Sequence, residues 1–253
     1  MKPTADQPTR WRRLLNAALD LVYPPACELC SRPLRGNRWL CDDCSGALPR
    51  LTPPFCERCA EPVWGAVEGS VSCLNCQQLE FAFQFARPAL RNDPDTRRLV
   101  HDLKYHRRIH LAAELGRLAA EAFDDPRLAT ALAGRWPLVP VPLHRSRQHR
   151  RHFNQSLEIA RTVAAIHGLP VIHALRRCRD TGTQTRLSRS RRLDNLHGAF
   201  KVTLAGRRLA RGQAAGAIVF DDVFTTGATS HECARVLRRA GVQKVVVVTV
   251  MRG

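Results

Sequence analysis

The sequence lacks any apolar run long enough to cross a membrane. The longest apolar stretch near its carboxyl end, residues 245–251, is interrupted by Thr249 and falls far short of the roughly 20 residues that a membrane helix needs. The amino-terminal segment carries Arg10, Arg12 and Arg13, where a secretory signal would have an unbroken apolar core. We therefore expect a cytoplasmic protein that does not insert into a membrane.

Lysine is also scarce. It occurs only at Lys2, Lys104, Lys201 and Lys244, so the 40 basic residues are almost all arginines. Against 22 acidic residues they give a net charge of +18 and a pI near 10.8. Such a surface attracts polyanions, including nucleic acid and phosphorylated metabolites. A GC-rich genome produces the same arginine bias without any such partner, and net charge alone leaves both explanations open.

Eight of the ten cysteines fall in four C-x-x-C pairs. These are Cys27/Cys30, Cys41/Cys44, Cys56/Cys59 and Cys73/Cys76. Two pairs form a closed tetrahedral site of four thiolates, which makes the metal structural rather than catalytic. A reducing compartment argues against a disulfide framework. We predict two structural zinc ions in a double zinc ribbon, with sequential pairing as the simplest arrangement and crossed pairing still open.

The composition changes along the chain and indicates three parts. Residues 10–22 place apolar groups at helical spacing before a Pro-Pro pair, which predicts an amino-terminal helix in residues 1–25. Residues 26–80, with few aliphatics and many turn formers, form the metal module, since so small a module rarely folds without metal or disulfides. Residues 81–253 are long enough for a well-buried domain.

Short apolar stretches alternate with helical patterns in residues 81–253. Strands are expected in residues 81–90, 138–143, 171–175, 217–220 and 244–250, and helices in residues 96–105, 111–123, 154–167 and 229–240. Continuous apolar strands that alternate with helices are typical of a parallel sheet covered on both faces. Residues 176–198 are polar, basic and poorly periodic, so they are expected to form a long loop.

One strand is expected to lead into an anion-binding turn. It ends in Asp221 and Asp222, and the turn and helix start that follow are Thr225, Thr226, Gly227, Ala228 and Thr229. Backbone amides of such a turn form an anion pocket, and threonine hydroxyls add donors for a phosphate. The two carboxylates accept hydrogen bonds from vicinal hydroxyls and favour a nearby magnesium ion. Because ligands bind at the carboxyl ends of parallel strands, the segment predicts a site for a phosphorylated sugar.

This segment resembles the 5-phosphoribosyl 1-pyrophosphate (PRPP) motif of type I phosphoribosyltransferases. The resemblance implies that Asp221 and Asp222 contact the ribose 2- and 3-hydroxyls, that residues 225–229 surround the 5-phosphate, and that Mg²⁺ accompanies PRPP. The basic segment after residues 138–143 is similar to the place where these transferases bind pyrophosphate. Its candidate ligands are Arg145, Arg147, Arg150 and Arg151, which offer bidentate contacts to pyrophosphate or belong to a solvated basic loop.

Residues 14–252 together resemble the ComF/GntX family of bacteria. The features that match are the four C-x-x-C pairs, Leu103-Lys104-Tyr105, Pro142 followed by Arg150-Arg151-x-Phe153-Asn154-Gln155, and Asp-Asp-Val-x-Thr-Thr-Gly-x-Thr. The resemblance implies a type I phosphoribosyltransferase-like domain, with helices on both faces of its sheet, behind a double zinc ribbon. It also implies a role in competence and DNA uptake or utilisation. His152 departs from the family's usual glycine, and residues 183–195 lie where type I transferases carry a closing loop.

Three functions remain to be distinguished. The first is a phosphoribosyltransferase of unknown acceptor, in which Asp221 and Asp222 are the catalytic candidates. The second is a non-catalytic module of the DNA import machinery that senses PRPP or binds single-stranded DNA, for which Trp39 and Trp64 offer a modest stacking platform. The third is a zinc-ribbon nucleic-acid binder with an inert α/β domain, which the intact acid pair argues against.

Overall fold

The computed structural model describes residues 25–36, 38–63, 65, 71–77, 80–181, 195–212 and 215–253. The expected amino-terminal helix, Trp64 and residues 183–194 of the expected closing loop lie outside this set. The chain divides into two compact units, Met1–Ala47 and Leu48–Gly253. The first unit holds the first two C-x-x-C pairs, and the second unit holds the other two pairs together with the α/β elements.

Six strands, nine α-helices and two short 3-10 helices, Glu121–Asp124 and Pro126–Leu128, are defined within the described residues. The strands are β1 (Ala86–Leu90), β2 (Leu138–Pro140), β3 (Leu175–Arg177), β4 (Phe200–Val202), β5 (Ala217–Phe224) and β6 (Val245–Arg252). The helices are α1 (Asp42–Ala47), α2 (Leu74–Gln77), α3 (Pro94–Tyr105), α4 (Leu111–Ala120), α5 (Ala129–Ala133), α6 (Arg145–Arg151), α7 (Gln155–His167), α8 (Leu204–Arg211) and α9 (Ala228–Ala240). None of these helices is long and apolar enough to cross a membrane.

A parallel sheet of four strands forms the centre of the second unit, in the order β1-β6-β5-β2. The two central strands are the longest, and every residue of β6 is buried. Strands β3 and β4 form a separate antiparallel pair. The predicted parallel α/β architecture is confirmed.

Helices cover both faces of this sheet. Alternate side chains of a strand point to opposite faces, and Val219 of β5 packs in a core cluster with Cys233 and Leu237 of α9. The neighbouring residues Ile218 and Phe220 are fully buried as well, which requires cover on the other face. Helix α7 contacts β5 there, and α4 contacts both α7 and β6.

The second cysteine group is built into the edge of the sheet. The Leu51 N–H donates to the Ala89 carbonyl at 2.8 Å, and the Ala86 N–H of β1 donates to the Arg58 carbonyl at 2.9 Å. Cys56 and Cys59 have no exposed surface and belong to the same core cluster as the sheet. The segment therefore covers the outer edge of β1, which would otherwise present unpaired backbone groups.

Several elements differ from those expected from the sequence. Residues 171–175 contribute only a single bridge, from Val171 to Leu138, and the true strand β3 begins at Leu175. β3 pairs with β4, a short strand with one buried residue that has no clear period-2 signal. Pairing with distant segments determined the conformation of these residues, so the local sequence pattern alone could not predict it.

Candidate functional site

Each unit contains one group of four cysteines. The groups are Cys27, Cys30, Cys41 and Cys44, and Cys56, Cys59, Cys73 and Cys76, with all sulfurs of a group within 4.8 Å of one another. The Sγ atoms of Cys30 and Cys41 are 3.7 Å apart, and those of Cys59 and Cys73 are 3.5 Å apart. Four sulfurs at 2.3 Å from a tetrahedral zinc ion would be about 3.8 Å apart. The geometry fits structural zinc, and the pairs combine sequentially as predicted.

Backbone amides stabilise the thiolate form of one cysteine in each group. The Cys41 N–H donates to Cys27 Sγ at 3.4 Å, and the Cys73 N–H donates to Cys56 Sγ at 3.4 Å. Burial alone would raise these two pKa values, but the backbone donors lower the pKa of Cys27 to about 6 and that of Cys56 to about 7. Deprotonated sulfur is the form that zinc binds.

The acid pair lies inside a strand, whereas the sequence predicted that the strand would end there. Strand β5 continues to Phe224, so Asp221 and Asp222 both have strand backbone. Ser156 Oγ donates to Asp221 Oδ1 at 2.8 Å, and Lys104 Nζ forms an ion pair with Asp222 Oδ2. Two carboxylates with separate partners thus stand near the carboxyl end of the sheet.

The partners of the acid pair arrive from distant parts of the chain. Ser156 lies in the first turn of α7, which Asn154 caps by accepting from the Ser156 N–H at 3.1 Å. Asn154 Nδ2 also donates to the carbonyl of Val141, just beyond β2, at 3.0 Å. Lys104 lies in the last turn of α3. Asn154 and Lys104 were expected only from the family resemblance, and no local sequence signal indicated the role of Ser156.

The electrostatic environment opposes full ionisation of the site. Desolvation raises the pKa of Asp221, although Ser156, Lys104 and Arg177 counteract this. Burial lowers the pKa of Lys104 to about 8, although Asp221 counteracts this. The charge of Asp221 is therefore favoured first by its hydrogen bond from Ser156 and then by Lys104, and the charge of Lys104 is favoured by Asp221.

The turn after β5 is held against an aromatic cluster. Gly227 has φ of +79°, and a Cβ there would lie 2.8 Å from Cζ of Phe224 and 3.0 Å from Cε1 of Phe81. Only glycine fits this position without a shift of the aromatic rings. Gly227 is the N-cap residue of α9 and provides no side-chain hydrogen bond to the amino-terminal amides of that helix. These amides meet the requirement for anion binding.

A buried arginine fixes the carbonyl side of the same turn. Arg252 Nη1 donates to the carbonyls of Phe224 at 2.9 Å and Thr225 at 2.7 Å. Arg252 Nη2 forms an ion pair with Glu61 of the second cysteine segment. With the carbonyls held, the turn can present amides and the side chains of Thr225 and Thr226 to a ligand.

The predicted basic loop is instead the short helix α6. Arg147, Arg150 and Arg151 line a cavity of about 210 Å³, whose other lining residues are Lys104, Tyr105 and Arg107. Every charged side chain in this cavity is cationic. Arg145 lines a different pocket with Gln148, His149 and His152, so the structure brings three of the four predicted arginines together.

The arginines of this cavity repel one another. Burial and the charges of Arg147 and Arg150 lower the pKa of Arg151, while Tyr105 counteracts this. The Arg151 guanidinium lies 5.0 Å from the centre of the Tyr105 ring and donates to Gln155 Oε1 at 3.1 Å. The cavity thus concentrates positive charge that an anion would neutralise.

His152 ends α6 in a conformation that normally belongs to glycine. Its φ is +65°, in the left-handed region, and it is the C-cap of the helix. A side chain in this region costs about 1–2 kcal/mol. Glycine adopts this conformation without that cost, which is a backbone reason for the family's usual glycine at the position where this chain has His152.

Comparisons with known proteins cover the cysteine module and most of the chain. Residues 18–77 match the double zinc ribbon domain. DNA utilization protein YhgH of Salmonella typhimurium is 34% identical over 231 residues, which span 90% of this chain and 96% of that protein. The chain belongs to the ComF/GntX family. YhgH of Escherichia coli K12 is 33% identical over 237 residues, 92% of this chain and 93% of that protein.

A further relative of this ComF/GntX chain is competence protein F of Haemophilus influenzae. It is 29% identical over 150 residues, which span 59% of this chain and 64% of that protein. The relatives thus include proteins named for DNA utilisation and for competence.

The two zinc sites should differ in their importance for the α/β domain. Cys59→Ser should remove one zinc ion per chain and lower the unfolding temperature of the second unit, because Cys59 packs in its core and structural zinc contributes on the order of 10 kcal/mol to folding. The matched variant Cys30→Ser should also remove one zinc ion but leave that transition unchanged. Metal analysis and calorimetric unfolding test this, and equal losses of stability would contradict it.

The positive φ of His152 predicts that glycine at this position would stabilise the fold. His152→Gly should raise the free energy of unfolding by about 1 kcal/mol, because glycine removes the left-handed penalty. Gly168 ends α7 with the same φ of +65° and has open space around it, so Gly168→Ala should lower stability by a similar amount. Urea unfolding measures both, and changes of the same sign would refute the backbone explanation.

Proposed function

We propose that this chain is a phosphoribosyltransferase-type protein that binds Mg-PRPP and acts in bacterial DNA uptake or utilisation. The observation that supports this proposal best is that one lysine contacts both the acid pair and the cationic cavity. Lys104 pairs with the buried Asp222 and also lines the cavity of Arg147, Arg150 and Arg151. Hydroxyl-binding carboxylates and an anion-binding cavity therefore adjoin one another. The names of the relatives support the DNA-related role.

Each part of PRPP has a matching group of residues in this proposal. Asp221 and Asp222 accept hydrogen bonds from the ribose hydroxyls. The amides of the turn at Gly227, together with the hydroxyls of Thr225, Thr226 and Thr229, bind the 5-phosphate. Arg147, Arg150 and Arg151 bind the pyrophosphate, for which planar guanidinium groups are suited. Arg145, predicted from the sequence as a fourth ligand, has no assigned contact because it faces another pocket.

The chemical step needs positioning and charge stabilisation more than acid–base catalysis. The anomeric C–O bond to pyrophosphate breaks, its electron pair leaves on the pyrophosphate oxygen, and a lone pair of the acceptor forms the new bond. The arginines of α6 stabilise the negative charge of the leaving group. Carboxylate oxygens are the ligands that Mg²⁺ prefers, so the acid pair fits a magnesium ion, which would add charge neutralisation when bound.

The zinc ligands support a location for this activity. Eight cysteine thiolates remain available for zinc only where thiols stay reduced. We therefore assign the reaction to the cytoplasm.

Single-stranded DNA binding is a second candidate function, with or without turnover. Tyr105 is 60% exposed, and its ring lies 4.6 Å from the ring of His101 and 5.0 Å from the guanidinium of Arg151. An exposed aromatic ring beside cations suits base stacking and backbone attraction. Steep salt dependence of DNA binding, with loss on Tyr105→Ala, would favour this candidate.

The proposed substrate is tested by calorimetric titration of PRPP with Mg²⁺ into the zinc-loaded chain. We expect saturable binding that Asp221→Asn/Asp222→Asn abolishes, because hydroxyl donors would lose their charged acceptors. This variant leaves the buried Lys104 without its carboxylate partner, which lowers the stability of the fold. Lys104→Met/Asp222→Asn removes both charges of the pair and should fold while still failing to bind.

An ion pair outside the site provides the control. Arg161 Nη1 lies 2.8 Å from Glu158 Oε2 on the outer part of α7, and Glu158→Gln/Arg161→Met should bind PRPP like the native chain. Absence of binding at millimolar PRPP in a folded native sample would refute the proposed substrate.

A further inference from the structure

A second and larger cavity, of about 590 Å³, is lined by Lys104, the ion-pair partner of Asp222. Val223 and Met251 line it from the carboxyl ends of β5 and β6. Thr225 lines it from the turn of residues 225–227, which is proposed to bind the 5-phosphate and is named the phosphate turn. Lys104 and Tyr105 line both this cavity and the cationic one. A ligand in the larger cavity would therefore lie next to a sugar held by the acid pair.

Helix α3 forms the charged wall of this cavity. Arg97, Arg98 and His101 line it, at the three- and four-residue spacings that share a helix face. Both arginines are exposed, and neither forms an ion pair within the described part of the chain. The one acid in the lining, Asp102, is already 2.9 Å from Nδ1 of His106. The wall thus offers two available guanidinium groups and no available carboxylate.

The same cavity also has apolar lining residues, which come from α3 and from the two central strands. Val100 and Met251 are buried, and Val223 and Pro94 complete an apolar lining. Such a surface suits the face of a planar ring, while guanidinium groups pair with carboxylates in a bidentate manner. Two rim cations suit a single carboxylate, whereas the neighbouring cavity, with five cations, suits a phosphate group.

We infer that this cavity binds the acceptor of ribosyl transfer, and that the acceptor is a planar ring bearing a carboxylate. The inference rests on the proposed function, since the acceptor needs an adjacent ribosyl donor. The acceptor's nucleophilic atom would supply the electron pair of the new bond to the anomeric carbon, and pyrophosphate would leave with the pair of the broken bond. The cavity could not be predicted from the sequence because its walls come from three separate segments, at residues 92–105, 223–225 and 251–253.

Matched probe pairs separate ring binding from carboxylate recognition. Nicotinate and nicotinamide differ in the charge of one substituent, and orotate and uracil differ by one carboxylate. Each is titrated into the full zinc-loaded chain, with and without saturating Mg-PRPP. We expect at least one acid to bind about tenfold more tightly than its neutral partner, as expected for about 1.4 kcal/mol from one charged contact.

A charge-matched variant pair tests the arginines. Arg97→Gln/Arg98→Gln should abolish the preference for the acid while leaving PRPP affinity unchanged. Arg238 and Arg239 form an equally exposed adjacent pair on α9, away from the cavity lining, and Arg238→Gln/Arg239→Gln removes the same charge. This control should keep both affinities, and urea unfolding verifies that both variants fold.

The possible outcomes distinguish this inference from the proposed function. If PRPP binds but no ring acid does, or if the acids bind the Arg97→Gln/Arg98→Gln variant as tightly as the native chain, the acceptor assignment is wrong and PRPP binding still stands. If PRPP fails to bind, the proposed function fails, and the acceptor assignment fails with it. A preference for the acid that depends on Arg97 and Arg98 supports the assignment.

Discussion

The carboxylates of Asp221 and Asp222 lie in the interior of a parallel sheet, where protein groups must provide the charge and hydrogen-bond partners that water would otherwise provide. Asp222 is only 4% exposed, and a buried charge without a partner is strongly destabilising. Lys104 from α3 and Ser156 from α7 meet this requirement. The position of both helices over the carboxyl end of β5 is therefore tied to the acids. An apolar pair in the same strand would need neither contact, so the arrangement indicates a function beyond stability.

The sequence predicted the features that depend on neighbouring residues. Cysteine spacing within the four pairs and the apolar runs of β5 and β6 are local properties, and each has the predicted consequence in the structure. The structure gives Gly227 a positive φ and close packing against two aromatic rings, a reason for glycine that the sequence did not indicate. The PRPP-binding roles of Asp221 and Asp222 remain predictions.

The rest of the site depends on residues that are distant in sequence. Lys104 and Asp222 are separated by more than a hundred residues, and nothing in the local pattern of either indicates an ion pair. Helix α6 was expected as a loop because its arginine-rich sequence has no buried residue and so gives no apolar period. Its N-cap, His144, is also not among the strongly favoured capping residues.

The second zinc ribbon contributes to the site through one arginine. Arg252 joins Glu61 of the ribbon segment to the carbonyls of Phe224 and Thr225. Because Arg252 is buried and its guanidinium makes several contacts at once, movement of the ribbon segment would be transmitted to the phosphate turn. A structural zinc ion can thus stabilise the geometry of an anion site without touching the ligand.

The site has two ends of opposite charge, and this polarity restricts its ligands. A polyphosphate without hydroxyls would bring negative charge towards Asp221, and a neutral sugar would bring no anion to Arg150 and Arg151. A sugar that carries pyrophosphate satisfies both ends at once. Lys104 lies between them, paired with Asp222 and lining the cationic cavity. An arriving pyrophosphate would attract its ammonium group and free the Asp222 carboxylate for ribose hydroxyls. The same lysine can therefore balance the acids in the free protein and the leaving group in the complex.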